Sequence, residues 1–393
     1  MTSYSLRIRP IDPLISRDSR PFGRGLERKL RSLDWLTPSV VCGSLRSLLG
    51  KKQGGDFSPD QIAKLKSVLF RGPFLALDSG DNKKELYFHR PLDFVAGKTK
   101  GYTIRPPKDG QNKIKGGSNM PAGLVPAFIQ NPPKDDFKPE PAPRFWSAEA
   151  MNRWLGAGSP DNFSLSGLEG LSGPIKDERV HVGIDPMTGT SLDSLLFSTT
   201  GLDFRVRVKE GEREKYGRIL QLSIAIEATP PSDAECGDYF ENLSSPHPLG
   251  GERRLAEWSR ETSNVHGWAS PPMPKDVSFL RMVLATPAFF SKGWLPDWIN
   301  PNNMEGKIPR TDIGVQLVSA VMERWTPISG WSYEKNARGI KPLHRMVPAG
   351  SVYFFKVTDG RIDDSVWQKL WLRSVCDSQY INDGFGAALW GVW

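Results

Sequence analysis

Val277-Ser278-Phe279-Leu280-Arg281-Met282-Val283-Leu284 reads as an alternating strand that Thr286-Pro287 brings to an end. The elements after it set the fold. A helix is expected over Ile313 to Arg324, then strands at Gly330 to Tyr333 and Ser351 to Val357. Asp363 to Val375 places Val366, Trp367, Leu370, Trp371 and Val375 at helical spacing, and Ala387 to Trp393 makes a last strand. The order β-α-β-β-α-β is the ferredoxin-like pattern that RNA-recognition modules share.

Between that second helix and last strand lies Asp383-Gly384-Phe385-Gly386-Ala387. Glycine reaches positive φ and has no Cβ, so successive backbone N–H groups there can line a concave anion site. A dinucleotide fingerprint is a poor match, because G-x-G-x-x-G must open a helix inside a βαβ unit and here Gly391 comes too late. A plain glycine turn before a strand is the competing reading.

Working back toward the start, a looser copy of the same cycle is visible. Tyr4 to Arg9 alternates as a half-buried strand, and Thr37-Pro38-Ser39 offers a helix start before Val40 to Leu49, with Gly50 as its stop. Phe70 to Leu77 and Lys84 to Phe88 form a hairpin, and Ile219 to Ile226 completes the first sheet. Trp146 to Leu155 reads as a short helix, and Val180 to Asp185 with Leu195 to Val208 as a projecting hairpin around Pro186-Met187-Thr188-Gly189-Thr190. Residues 97–144 hold nine prolines and six glycines and read as an inserted loop, at best partly ordered.

The expected fold class is therefore α+β, with two ferredoxin-like (RRM-like) domains at 1–230 and 231–393, loop insertions and a hairpin at about 178–210. A chain of 393 residues with 33 prolines and 38 glycines suits two domains with long connections better than a helical bundle. Its apolar runs are too short to cross a bilayer and it opens without a secretory pattern, so a cytoplasmic location and no membrane partner are expected. Cys42, Cys236 and Cys376 are far apart and odd in number, which disfavours a disulfide framework and a zinc site; no cofactor or metal is expected.

The net charge of +8 is unevenly spread. Residues 1–52 hold 11 Lys/Arg against 4 Asp/Glu, or +7, and residues 97–144 hold 9 against 4, or +5, which leaves 8 minus 12, or −4, for the rest. Such surfaces attract a polyanion such as RNA, although an acidic protein partner or a solvated face accounts for them too.

A set of short motifs in fixed order carries a family resemblance: Arg17-Asp18-Ser19-Arg20-Pro21-Phe22, Gly43-Ser44-Leu45-Arg46, Arg71-Gly72-Pro73-Phe74, Arg179-Val180-His181-Val182-Gly183-Ile184-Asp185 and Gly250-Gly251-Glu252-Arg253-Arg254. Thr286-Pro287-Ala288-Phe289-Phe290, Gly293-Trp294-Leu295-Pro296, Gly330-Trp331 and Val347-Pro348-Ala349-Gly350-Ser351-Val352-Tyr353 continue it. The chain resembles the RAMP-superfamily subunits of type III-B CRISPR (Cmr) effector complexes, in particular the third Cmr subunit. The resemblance implies a hairpin "thumb" in the RNA path and contact with the 5′ tag of the CRISPR RNA. It also implies docking to the large polymerase-like subunit and to the neighbouring backbone RAMP subunit, and no catalytic activity.

Arg17 and Arg20 lead the candidate RNA contacts. With Arg24 behind them they sit in a loop with Gly23 and Gly25, where planar guanidinium groups can clamp phosphates; pairing with Asp18 is the alternative. Arg46 comes late in the first helix, where compensation of helix-end carbonyls competes with RNA contact. His181 stands four residues from Asp185, and base stacking or hairpin positioning is favoured over general acid–base cleavage, the metal-independent endoribonuclease alternative. Arg253 and Arg254 come after a glycine pair suited to an RNA backbone or a subunit contact. Gly384, Phe385 and Gly386 complete the set, as a loop facing RNA backbone. A protein-only scaffold with a basic docking face is the third reading. Most of the thirteen tryptophans sit at periodic apolar positions and belong to cores, Trp331 being the one held back as a stacking candidate.

Overall fold

A computed structural model describes residues 2–18, 20, 29–78, 84–98, 100–108, 120–121, 123–132, 137–156, 163–208, 218–231, 237–332, 338–376 and 380–393. The architecture is mixed α+β, rich in strands with few helices. Two compact units share the chain, and each is assembled from separated segments. The first takes Met1–Pro73, Gly173–Thr262 and Pro327–Arg345; the second takes Phe74–Ser172, Ser263–Thr326 and Met346–Trp393.

In the first unit, Tyr4–Pro10 buries Tyr4, Leu6 and Ile8 on one face and turns Arg7 and Arg9 to the other, as its period of two requires. It lies between Ser223–Thr229 and Leu255–Arg260, antiparallel to both, with Leu6 opposite Ile226 on one side and Arg260 on the other. Ser244–Pro248 pairs outside Leu255–Arg260, and Leu69–Asp78 flanks Ser223–Thr229. Thus the strand beside Tyr4–Pro10 on its outer side comes from beyond residue 230.

The first helix, Pro38–Lys52, begins with proline in its opening turn and buries Val41, Cys42, Leu45, Leu48 and Leu49. It runs on past Gly50, the expected stop, where the missing Cβ makes room for the Phe57 ring, and Gly54 and Gly55 lie beyond its end with φ of 101° and 74°. A second helix, Pro59–Ser67, starts where the Ser58 hydroxyl accepts the Gln61 N–H at 3.3 Å. Its largely polar sequence has no apolar period strong enough to announce a helix.

In the second unit, strands run in the order Glu305–Lys307, Gly314–Val321, Val352–Asp359, Phe279–Leu284, Ala387–Val392 and Arg373–Ser374, all antiparallel. The helix expected over Ile313 to Arg324 is instead the strand Gly314–Val321. Val315, Leu317 and Ser319 are buried while Gln316, Val318 and Ala320 are less so, a period of two in a β-branched segment. The closing helix, Asp364–Leu370, is shorter than expected: Asp363 caps it by accepting the Val366 N–H at 3.0 Å, and Trp371 is already extended. Trp367 and Trp371 are buried, their indole N–H groups donating to Pro274 and Gly267 carbonyls at 2.9 and 3.0 Å.

The same unit holds Lys84–His89 between the second half of Leu69–Asp78 and Phe145–Ser147. The proline-rich insertion carries ordered elements of its own: Gly101–Arg105 pairs with Phe94–Ala96 and with Phe128–Ile129. Phe94 joins Trp146, Ala150, Trp154 and Phe163 in a buried cluster beneath it. Beside that cluster Arg281 and Asp93 form a fully buried ion pair at 2.7 Å, the Arg281 guanidinium also donating to the Trp154 carbonyl and the Trp154 indole to Asp93 at 3.0 Å. Among the described residues, no helix is long and apolar enough to cross a membrane.

Candidate nucleic-acid interface

Within the first unit, the segment after Tyr4–Pro10 links most of the candidate arginines. Leu14 bridges to Leu202 at the base of the long hairpin, and Gly251 N–H donates to the Ile15 carbonyl at 2.7 Å. A Cβ on Gly250 would sit on the Ile15 carbonyl oxygen, so only glycine lets the turn approach this closely. Three residues of that turn, Gly250, Glu252 and Arg253, hold φ of 79°, 56° and 51°. Two non-glycine residues in the left-handed region mark it as a shape imposed by its surroundings. Arg253 is exposed, while Arg254 Nε is shielded from solvent and has no hydrogen-bond partner among the described residues.

Two residues past Ile15, Arg17 bridges to Ser32, and the Leu33 and Asp18 N–H groups donate to Ser16 and Arg31 carbonyls at 2.6 and 3.3 Å. Arg17 is exposed and its Nη2 donates to the Arg20 carbonyl at 3.3 Å. Arg20, also exposed, approaches Asp18 through Nε at 3.3 Å, the alternative pairing expected from the sequence. Exposed pairs of this kind are weak and leave the guanidinium open to a phosphate. Arg24, Gly23 and Gly25 lie outside the described residues, as does Cys236.

Lys29–Leu30 then runs parallel to Ser198–Thr199 of the long hairpin, whose strands are Ile175–Ile184 and Ser191–Asp203. Ion pairs from Lys29 to Glu178, at 3.1 Å, and from Lys176 to Asp34, at 2.8 Å, fasten this junction. On one face of the hairpin His181 stands opposite Phe197, ring on ring, with centroids 5.1 Å apart and an 18° angle. His181 Nε2 is 2.9 Å from Thr199 Oγ1, in a bond whose direction depends on the ring tautomer. Phe197 escapes a reading of the sequence, because its register opposite His181 emerges only with the hairpin. The other face exposes Val180, 72% accessible, with Val182, Ile184 and Leu196.

The remaining candidates are placed differently. Arg46 turns to the second helix: its Nε and Nη2 donate to the Leu65 and Lys66 carbonyls at 3.1 and 3.4 Å, and its guanidinium lies over the Phe70 ring. It therefore compensates helix-end carbonyls, those of the neighbouring helix and not its own. Gly384, Phe385 and Gly386, in the second unit, are buried. The Gly384 carbonyl accepts the Thr286 hydroxyl at 2.8 Å, and Gly386 N–H donates to Pro287 at 2.8 Å. Phe385 packs on Phe289, and its carbonyl accepts the Ser374 hydroxyl at 2.7 Å. Positive φ at both glycines, 88° and 67°, thus serves a packed internal corner. His89, also in this unit, is half-buried with its ring against Phe145, and desolvation holds it far below the ordinary histidine range, at about 3, so it is neutral.

What these residues can do chemically is hold phosphate and stack: open guanidinium groups, a strained turn and a ring pair lie along one continuous series of contacts in the first unit.

Among solved structures, a chain of the type III-B Cmr-beta complex bound to cognate target RNA is similar at 12% identity and a TM-score of 0.48, covering 89% of this chain and 86% of that one. A chain of Cmr-beta bound to cognate target RNA and AMPPnP has 12% identity and a TM-score of 0.47, with the same coverage. A chain of the Csm3-Csm4 subcomplex of the type III-A CRISPR-Cas interference complex has 10% identity and a TM-score of 0.37, covering 92% and 96%. A comparison with curated proteins returns no match. The sequence profile described as CRISPR-associated protein (Cas_Cmr3) matches residues 6–393, and the chain belongs to that family.

Proposed function

We propose that this protein is a non-catalytic RNA-binding subunit of a type III-B CRISPR ribonucleoprotein, in the cytoplasm, which grips the 5′ tag of the CRISPR RNA. It docks to the large polymerase-like subunit and to the neighbouring backbone RAMP subunit. The observation that carries the RNA reading is a set of contacts within one unit: Gly251 on Ile15, Arg17 on Ser32, Leu30 on Thr199, and His181 on Thr199 and Phe197, so that two segments with exposed arginines and a stacked ring pair share one framework. The long hairpin Ile175–Asp203 is the thumb, and target sequence is left to base pairing in the guide. The sheet order in each unit supports a ferredoxin-like core. In the first, Leu69–Asp78, Ser223–Thr229, Tyr4–Pro10 and Leu255–Arg260 match the order 2-3-1-4 of that fold, and Gly314–Val321, Val352–Asp359, Phe279–Leu284 and Ala387–Val392 do so in the second.

The test is photocrosslinking of tagged guide RNA to the protein in the assembled complex. Arg17→Ala with Arg20→Ala is expected to weaken tag binding roughly tenfold, the scale of two solvent-exposed charge contacts. Unchanged crosslinking overturns the reading. The non-catalytic assignment is supported by the commitment of His181 to Thr199 and Phe197; cleavage of repeat RNA in EDTA by the purified protein sinks it.

A further inference from the structure

The basic insertion has no part in the interface above, yet its described residues form a site of their own in the second unit. Phe94–Ala96 and Gly101–Arg105 are joined by a turn in which Gly97 N–H donates to the Lys100 carbonyl at 2.9 Å. Tyr102, just past the turn, meets Phe137 edge to face at 4.9 Å, and both rings are half-buried. The segment carrying Phe137 is fastened by Glu140 N–H, which donates to the Ala96 carbonyl at 2.9 Å. A Cβ on Gly97 would stand 2.6 Å from Tyr102 Cε2 and 3.2 Å from Phe137 Cε2, so this position must stay bare for the ring pair to close over the turn.

Three lysines belong to the same two short segments. Lys100 Nζ lies 5.3 Å from the Tyr102 centroid, Lys98 is exposed in the same turn, and Lys138, exposed, comes directly after Phe137. None of these three lysines pairs with a carboxylate among the described residues. Residues 97–108 and 137–144 together contain Lys98, Lys100, Arg105, Lys108, Lys138 and Arg144, and Glu140 is the one acidic residue among them.

We propose that the Ala96–Tyr102 turn with Phe137–Lys138 is a second site for a polynucleotide, separate from the tag-binding interface, and that it takes single-stranded RNA. Lysines supply phosphate contacts and the Tyr102–Phe137 pair supplies a stacking surface for unpaired bases, whose faces a duplex conceals. An acidic protein surface would be met by the lysines but would leave the ring pair without a purpose. The site stands whether or not the first unit grips the tag.

The experiment uses the full-length protein and a fluorescent, unstructured single-stranded RNA of about twelve nucleotides without a tag, within the usual span of such sites. Binding is measured by anisotropy across a salt series. Replacing Lys98, Lys100 and Lys138 by Gln is expected to weaken binding about tenfold and to flatten the log–log salt slope by roughly 0.7 for each phosphate no longer neutralised. Tyr102→Leu is expected to weaken binding with the slope unchanged. The triple lysine variant, altered only at surface positions, keeps the test open if Tyr102→Leu folds poorly. Unchanged affinity and slope in the lysine variant overturn the inference. So does a lysine variant that keeps RNA binding but drops a protein partner from the assembled complex. Loss of this tagless RNA in Arg17→Ala/Arg20→Ala would assign it to the first unit and overturn the inference as well.

Discussion

At the residue scale, the closing glycines show how one sequence cue serves two structures. Gly384-Phe385-Gly386 has the composition of an anion loop, yet positive φ and the absence of Cβ are equally what a tight internal corner demands. Gly386 shows this most sharply, since a Cβ there would stand 2.5 Å from Cys376 Sγ. Gly386→Val is expected to cost roughly 2–4 kcal/mol, from backbone strain and overpacking together, read as a lower urea midpoint of the isolated protein. An RNA-binding loss in that variant would then report folding. Arg17 and Arg20, being exposed, are the cleaner probes. That Arg17 and Arg20 lie on an exposed loop was legible, because arginines among aspartate, serine and proline mark a polar connection. That Arg46 serves helix-end carbonyls was legible too, but not whose, since Leu65 and Lys66 belong to a helix that the sequence hardly announces.

At the scale of elements, strands with clean alternation were readable: Tyr4–Pro10 and Phe279–Leu284 fall where their period of two puts them. The hairpin was expected over Val180 to Asp185 and Leu195 to Val208; it runs instead over Ile175–Ile184 and Ser191–Asp203, and Arg205–Val208 pairs with Arg218–Gln221. Gly314–Val321 was not, because a short apolar run fits either period until its neighbours are known. Lys84–His89 carries a test of another kind. His89 at its end is half-buried and neutral, held at about 3 against an ordinary 6.5, because desolvation opposes its charge and Arg144 adds to the effect. The unfolded chain therefore binds a proton that the folded one refuses between those values. Stability attributable to this group is full above about pH 6.5 and falls as pH drops toward 3. Between pH 7 and pH 5 the loss is about 2 kcal/mol. His89→Gln is expected to flatten this dependence in urea unfolding; an identical slope in the variant would disprove it.

At the scale of the whole molecule, two units each gather distant segments, and no local pattern announces such interleaving. The strand Leu255–Arg260 beside Tyr4–Pro10 could not be foreseen, because 11–254 intervenes between two strands of the same unit. The second unit depends on a buried charge: burial pushes Asp93 up and Arg281 down, and their attraction opposes both. Asp93→Asn leaves the Arg281 guanidinium buried without its counter-ion and is expected to cost about 3–5 kcal/mol. Asp93→Leu with Arg281→Met, which removes both charges, should recover much of that loss in chemical denaturation. Failure of the double variant to recover would show that the pair's hydrogen bonds to Trp154 matter more than its charge.

The interleaving also bears on synthesis. The first unit cannot gather all its segments until Pro327–Arg345 has been made, and in the second the strand Ala387–Val392 lies between Phe279–Leu284 and Arg373–Ser374. On a ribosome the early segments must therefore wait, with apolar strands unpaired, for partners hundreds of residues downstream. Such long-range closure is slow and exposes the nascent chain to aggregation. Expression yield should depend on translation rate and chaperone supply more steeply than for a protein whose units are contiguous in sequence.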